Sequence, residues 1–340
     1  MQKPQGYSRE MGKRFTFIDL FAGIGGIRIP FDELGGQCVF TSEIDPWAVE
    51  TYEANFPKDS HKVSGDLTLI STQEIPSHDL LLAGFPCQPF SRAGHQRGFE
   101  DTRGTLFFDI ERILKFHKPK TFLLENVKGL ISHDHKHTFR RILEILDEDY
   151  VVSWKVLNAK DFGLPQSRAR VYIVGVRRDL TNDLNPFTFP EPTRAKTRVG
   201  DILESRVSKE FTISDRLWSG HLARKAKHLE NGNGWGYRLF NQDSEYTSTI
   251  SARYGKDGSE ALIEQKGKNP RKLTPREAAR LQGFPEWFCP SPSKAQAYKQ
   301  FGNAVPVSVV AAIGKKLVVD FVVESKDSKG ERKLVKSIKS

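Results

Sequence analysis

The first half of the chain alternates short apolar runs with helical stretches, and few folds accept that order. Phe15-Thr16-Phe17-Ile18-Asp19-Leu20 reads as a buried strand. A glycine-rich turn follows it, then a short helix ending near Gly35-Gly36. Residues 37–43 read as a second strand, and Pro46 suits the first turn of a helix over 46–55. The same spacing predicts strand 78–83, helix 105–117, strand 120–125, helix 137–147 and strands near 151–157 and 170–176. Strand and helix in turn imply a mainly parallel sheet with helices on both faces. The pattern breaks after Asp179. Residues 181–270 are too long for a loop of a compact domain and hold only short β-like runs such as 246–250, so a separate module is expected. Helical patterning returns at Thr274–Leu281, which opens in capping-box order, and another helix is predicted over 306–319.

With 340 residues, 38% of them hydrophobic, the chain can bury one large core and a smaller module. No run approaches the roughly 20 apolar residues of a membrane span. No apolar segment precedes Phe15, which argues against a secretory signal. Cys38, Cys87 and Cys289 are the only cysteines and form no CxxC pair. That disfavours a disulfide framework and a cysteine zinc site, and it suits a reducing cytoplasm. His133-Asp134-His135-Lys136-His137 reads as a polar loop entering a helix, and no metal is expected. The net charge of +10 fits a polyanionic partner. Residues 324–340 read as a solvated, frayed tail.

Ligands of open α/β sheets bind beyond the carboxyl ends of the strands. Asp19-Leu20-Phe21-Ala22-Gly23-Ile24-Gly25-Gly26 closes the first strand there, and its glycines allow close backbone approach. Arg28 stands where a GxGxxG fingerprint needs its third glycine, so a pyrophosphate ligand loses ground. Glu43 follows at the end of the second strand, where a carboxylate can take both ribose hydroxyls. Asp66 could accept from the amine of an adenine. This ordered trio points to a nucleoside without pyrophosphate, a description that S-adenosylmethionine fits.

Cys87, in Gly84-Phe85-Pro86-Cys87-Gln88-Pro89-Phe90-Ser91, lies past another strand end. Buried free cysteine is common, but flanking prolines and a polar, basic stretch 91–104 suggest an accessible loop thiol. Glu125 ends the next strand and can face it. In Gln166-Ser167-Arg168-Ala169-Arg170, alternation places Arg168 and Arg170 on one strand face, able to bind phosphate or to hold the glutamate.

DLFAGIGG, GFPCQPFS, ENV, QSRAR and QFGNAV, in this order over about residues 15–320, resemble the DNA (cytosine-5) methyltransferases of prokaryotic restriction–modification systems. The resemblance implies a Rossmann-like α/β catalytic domain, mostly parallel, binding S-adenosyl-L-methionine. Residues 1–185 and 272–340 would form it, with a smaller target-recognition domain inserted at 186–271. It implies Cys87 as nucleophile on a flipped-out cytosine, Glu125 on the ring nitrogen and amine, Arg168 as support for Glu125 and the base, and Arg170 as a secondary candidate. Asp19, Phe21, Gly23, Ile24, Gly25 and Gly26 match the first cofactor motif. Glu43, Ile44, Asp66, Leu67, Pro86, Leu106 and Asn303 complete the cofactor set, although an aromatic is common where Ile44 stands. Ser91, Arg92, Arg97 and Arg253 would contact double-stranded DNA. Residues 231–263 look like the recognition regions of enzymes that modify CCWGG, CCNGG or CCGG. The resemblance further implies a monomer in the prokaryotic cytoplasm and nucleoid, with a cognate restriction endonuclease acting on the same site. A tRNA cytosine-5 methyltransferase and an inert DNA-binding relative are the competing readings. An amino-group methyltransferase would need a Pro-Pro-aromatic tetrad, and the chain has none.

Overall fold

A computed structural model describes residues 15–86, 106–193, 195–232 and 236–322, and the backbone at 325–326 and 332–333. The chain divides into two compact units. The sheet unit comprises the described parts of Gln2–Leu157, Ala169–Glu191 and Val309–Ser340. The second unit is built from Asn158–Arg168 and Pro192–Ser308.

The main sheet among the described residues has six strands, β1 (Phe15–Leu20), β2 (Gly36–Ser42), β3 (Leu80–Gly84), β4 (Thr121–Val127), β5 (Tyr150–Asn158) and, after the two-residue β6 (Gln166–Ser167), β7 (Ala169–Arg177). Their order is β2-β1-β3-β4-β7-β5. β1 pairs parallel with β2 and β3, and β3 with β4, whereas β7 runs antiparallel to β4. The central strands are covered on both faces, which explains why Leu80-Leu81-Leu82-Ala83 and Phe122-Leu123-Leu124 are continuous apolar runs. Helices α1 (Arg28–Glu33), α2 (Pro46–Asn55), α3 (Leu106–His117) and α4 (His137–Leu146) follow the strands. Asp45 caps α2 by accepting from Trp47 N, and Pro46 fills its first turn. Phe107, Ile110, Ile113 and Leu114 form the buried stripe of α3. After β1 the chain first adds β2 on one side and later β3 on the other. The crevice beyond β1 and β3 is therefore a topological switch point, the usual ligand position in such sheets.

The second unit contains α5 (Asp215–Glu230), β8 (Leu239–Phe240), β9 (Thr247–Ser248), α6 (Tyr254–Asp257), β10 (Leu262–Ile263), α7 (Pro275–Leu281) and α8 (Lys294–Asn303). The capping box expected at Thr274 is present: Glu277 N donates to Thr274 Oγ1 (3.1 Å) and Thr274 N to Glu277 Oε2 (2.8 Å). The helix α9 (Val307–Leu317) carries the chain back into the sheet unit. α5 was not expected. It buries only His221, so its apolar period is faint, although Ser214 caps it and Lys227 and His228 close it. The tail expected to fray contains a short antiparallel pairing of Ser325–Lys326 with Arg332–Lys333; the rest of 324–340 lies outside the described residues. No helix among the described residues is long and apolar enough to cross a membrane.

Candidate active site

The site is built at the carboxyl ends of β1 to β4. After Leu20 the chain turns through Phe21, whose φ of 53° is left-handed for a residue with a side chain. Gly23 and Gly25 follow at φ 56° and 83°. Gly25 must be glycine, because a Cβ there would strike the rings of Phe56 and Tyr52. Gly23 is different: a Cβ on it would meet nothing within 4 Å, so open space lies beside it. Ile24 and Gly26 are buried behind the turn. Gly23 N donates to Glu43 Oε2 at 2.7 Å, tying the loop to the end of β2. Glu43 Oε1 accepts from Ile44 N (2.9 Å) and Asp45 N (2.8 Å), so the carboxylate is rigidly aimed.

The 64–67 segment lies along the same edge. Glu43 N donates to Ser64 O (2.9 Å) and Ser42 Oγ to Gly65 O (3.0 Å). Asp66 Oδ1 accepts from Thr68 N (3.0 Å) and Thr68 Oγ1 (2.7 Å); its Oδ2 makes no bond among the described residues. Leu67 is buried beneath, and Ile44 is 70% exposed. Open space beside Gly23 and Gly65, a fixed Glu43, a bare Ile44 and a spare oxygen on Asp66 fit a nucleoside across these strand ends. Asp19 sits below the turn, 1% exposed, with Tyr52 OH donating to its Oδ2 at 3.4 Å. Burial raises its pKa well above the carboxylate range, and nearby Arg28 offsets this in part.

The other half of the site lies at the ends of β3 and β4. Gly84 pairs with Glu125 in the ladder. Asn126 Nδ2 donates to Phe85 O at 2.8 Å, so the chain two residues before Cys87 is tethered beside Glu125. Pro86 is exposed and Leu106 half-buried at the start of α3. Cys87, Ser91, Arg92 and Arg97 lie outside the described residues. Across the antiparallel pair, Arg170 is opposite Val127 and Tyr172 opposite Glu125. Arg170 thus reaches Glu125 diagonally on one face, with Nε 3.1 Å from Oε1 and both side chains nearly buried. A carboxylate so fixed, backed by a guanidinium, can receive N–H groups of a base.

Arg168 belongs to the second unit. The strand is interrupted at this residue, between β6 and β7, because β6 pairs with β9. Within that unit its guanidinium donates to Ile250 O (2.9 Å), Gly302 O (2.8 Å) and Ala304 O (2.7 Å). The ion pair with Glu125 therefore falls to Arg170, which the sequence reading ranked second. Gln166 works beside Arg168: its Oε1 accepts from Ile250 N (3.1 Å), and its Nε2 donates to Leu281 O (3.1 Å) and Gln282 Oε1 (3.3 Å). Gly302 is obligatory, since a Cβ would collide with the Ser251 backbone. Asn303 is exposed at the end of α8, and Arg253 is exposed at the start of α6. Sequence reasoning quoted Asn126 and Gln166 inside their motifs but gave them no task. The signal was their adjacency to chosen residues.

Residues 15–319 match the C-5 cytosine-specific DNA methylase family. The chain is 55% identical over 320 residues to the Type II methyltransferase M.DsaV of Dactylococcopsis salina, covering 93% of this chain and 90% of that protein. It is 57% identical over 307 residues to the Type II methyltransferase M1.ScrFI of Lactococcus lactis subsp. cremoris, covering 90% and 78%. Among solved structures, a Spodoptera frugiperda DNMT2 mutant aligns with a TM-score of 0.74 at 23% identity, over 89% of this chain and 99% of that one, a likeness of fold. With a family match across nearly its whole length and relatives above half identity, the chain belongs to the C-5 cytosine-specific DNA methylases and uses S-adenosylmethionine as methyl donor.

Proposed function

We propose that the chain methylates carbon 5 of a cytosine flipped out of a short double-stranded DNA target, of the CCWGG, CCNGG or CCGG class. In a restriction–modification system it would protect host DNA in a prokaryotic cytoplasm from an endonuclease acting on the same site. The observation that carries this reading is Glu125, held by Arg170 at 3.1 Å beside the strand that leads into Cys87.

Carbon 5 of cytosine is a poor nucleophile, and carbon 6 is out of reach in the stack. The Cys87 thiolate attacks carbon 6, which makes the ring enamine-like and carbon 5 reactive. Glu125 meets the ring nitrogen and the exocyclic amine, favouring that attack, and Arg170 keeps its carboxylate in place. S-adenosylmethionine supplies an electrophilic methyl group. Glu43 takes the ribose hydroxyls, Ile44 packs on the base, and Asp66 accepts from the adenine amine. Loss of the carbon-5 proton then expels the thiol. Residues 186–271 act as the target-recognition domain, with Arg253 as a guanine reader. Ser91, Arg92 and Arg97 contact DNA.

The test is methyl transfer from radiolabelled S-adenosylmethionine to unmethylated genomic DNA, followed by base-resolution mapping of 5-methylcytosine. Label at one short motif is expected, with none in Cys87→Ser although that variant still binds the target duplex. Label in tRNA alone, or near-normal turnover by Cys87→Ser, would overturn the reading.

A further inference from the structure

Arg28 breaks the dinucleotide fingerprint, and nothing in the methyl-transfer reading gives it work. It is a buried guanidinium at the start of α1, and the fold commits four residues to it. Its Nε donates to Asp32 Oδ2 at 2.8 Å. Its two Nη atoms grip the Asp59 carboxylate, with Nη2 to Oδ1 at 2.6 Å and Nη1 also bonded to Oδ2. Nη1 donates as well to Tyr52 OH at 3.0 Å, and the guanidinium carbon lies 4.0 Å from the centre of the Phe56 ring. Tyr52 OH continues the web to Thr41 Oγ1 (3.0 Å) and to Asp19.

These partners come from the elements on the β1 and β2 side of the cofactor crevice. Arg28 follows the glycine turn directly. Tyr52 and Phe56 belong to α2 and its end, the helix that begins three residues after Glu43, and they are the rings that press on Gly25. Thr41 stands two residues before Glu43, and Asp19 is the last residue but one of β1. A buried ion pair is a poor source of net stability, because desolvation offsets its attraction; its better-attested use is to fix one geometry. A pyrophosphate-binding turn leaves this position to glycine. Here the arginine draws α2 and the 56–59 segment against α1, and above them the turn is tied to the end of β2 by Ala22 N to Ser42 O at 3.0 Å and Gly23 N to Glu43 Oε2 at 2.7 Å.

We propose that Arg28 is a positioning residue for S-adenosylmethionine: by clamping α2 and Asp59 to α1 it sets the separation of the glycine turn from Glu43. The inference rests on the assignment of that crevice to the cofactor. The test is calorimetric binding of S-adenosylhomocysteine, with melting curves, to the full chain and to Arg28→Met, Arg28→Lys, Asp59→Asn and the Arg28→Met/Asp59→Asn pair. Kd should rise about tenfold or more in Arg28→Met, the scale of one charge-assisted hydrogen bond. Arg28→Lys should recover only part, since a lysine cannot grip Asp59 with two parallel bonds. Asp59→Asn should weaken binding similarly, and the pair should lose less than the sum. In turnover, KM for S-adenosylmethionine should rise while kcat at saturation holds. Ile142→Ala in α4, which also weakens the core, should lower melting without moving Kd. If Arg28→Met does not fold, Asp59→Asn decides. Variants that melt early but bind with the wild-type Kd would overturn the proposal and leave the crevice assignment standing. A wild-type chain that binds no S-adenosylhomocysteine would overturn both.

Discussion

The two units hold their working residues by different means. In the sheet unit, long strands in register bring Glu43, Glu125 and Arg170 to one edge as a consequence of the ladder. In the second unit the described strands are two-residue pieces, and buried side chains hold the backbone instead. Arg168 takes three carbonyls, Tyr254 OH donates to Ala261 O (2.8 Å) and accepts from Leu273 N (2.7 Å), and Arg271 meets buried Glu277 at 2.7 Å. Removing a side chain at a strand end should remove chemistry and spare the ladder. Removing a pin in the second unit leaves buried carbonyls without donors, each a cost of about 1–3 kcal/mol.

The strongest test of that contrast is Glu125→Gln. Its kcat should fall roughly 100- to 10,000-fold, the range for a group acting on a proton in the transition state, with S-adenosylhomocysteine affinity and urea midpoint nearly unchanged. A loss confined to affinity would break the comparison on the sheet side. Arg168→Met should do the reverse, destabilising by about 3 kcal/mol or more in urea titration through the three carbonyls it abandons. If its midpoint matched the wild type, the second unit would not be pinned as described. Gly302→Ala should cost about 1–3 kcal/mol, by forcing α8 off the Ser251 backbone.

A finer test uses pH. Burial raises the folded-state pKa of Asp19, so the stability from its protonated carboxyl is full below about 4 and is lost as pH rises through the folded value. Asp19→Asn should lack that slope, and its stability relative to wild type should climb from about pH 4 toward neutrality. A constant difference across that window would mean that Asp19 ionises as if exposed. The smallest effect is expected from deleting 324–340, which should leave methyl transfer and DNA binding essentially intact. Collapse of DNA binding would make the tail part of the interface.

Legibility followed the same division. Strand and helix alternation located the elements of the sheet unit within a few residues because buried parallel strands and amphipathic helices leave strong periodic signals. α2 falls on the expected 46–55, set by Asp45 and Pro46. The placement of Glu43 and Glu125 at strand ends was readable because the apolar runs before them mark the strands. Arg168 was misdirected because alternation assumes an unbroken strand, and the break depends on β9, about eighty residues away. α5 was missed because a helix that buries one histidine has little apolar rhythm to read.

The chain enters or leaves the second unit at 157/158, 168/169, 191/192 and 308/309. Neither unit is therefore a contiguous stretch of gene. A single break in the coding sequence yields two fragments, at least one of which lacks strands or pins that the other encodes. Two such fragments expressed together would have to reassemble before any methyl group moved, which makes the 192 junction a natural place to divide the enzyme into a conditional, two-part DNA-marking device.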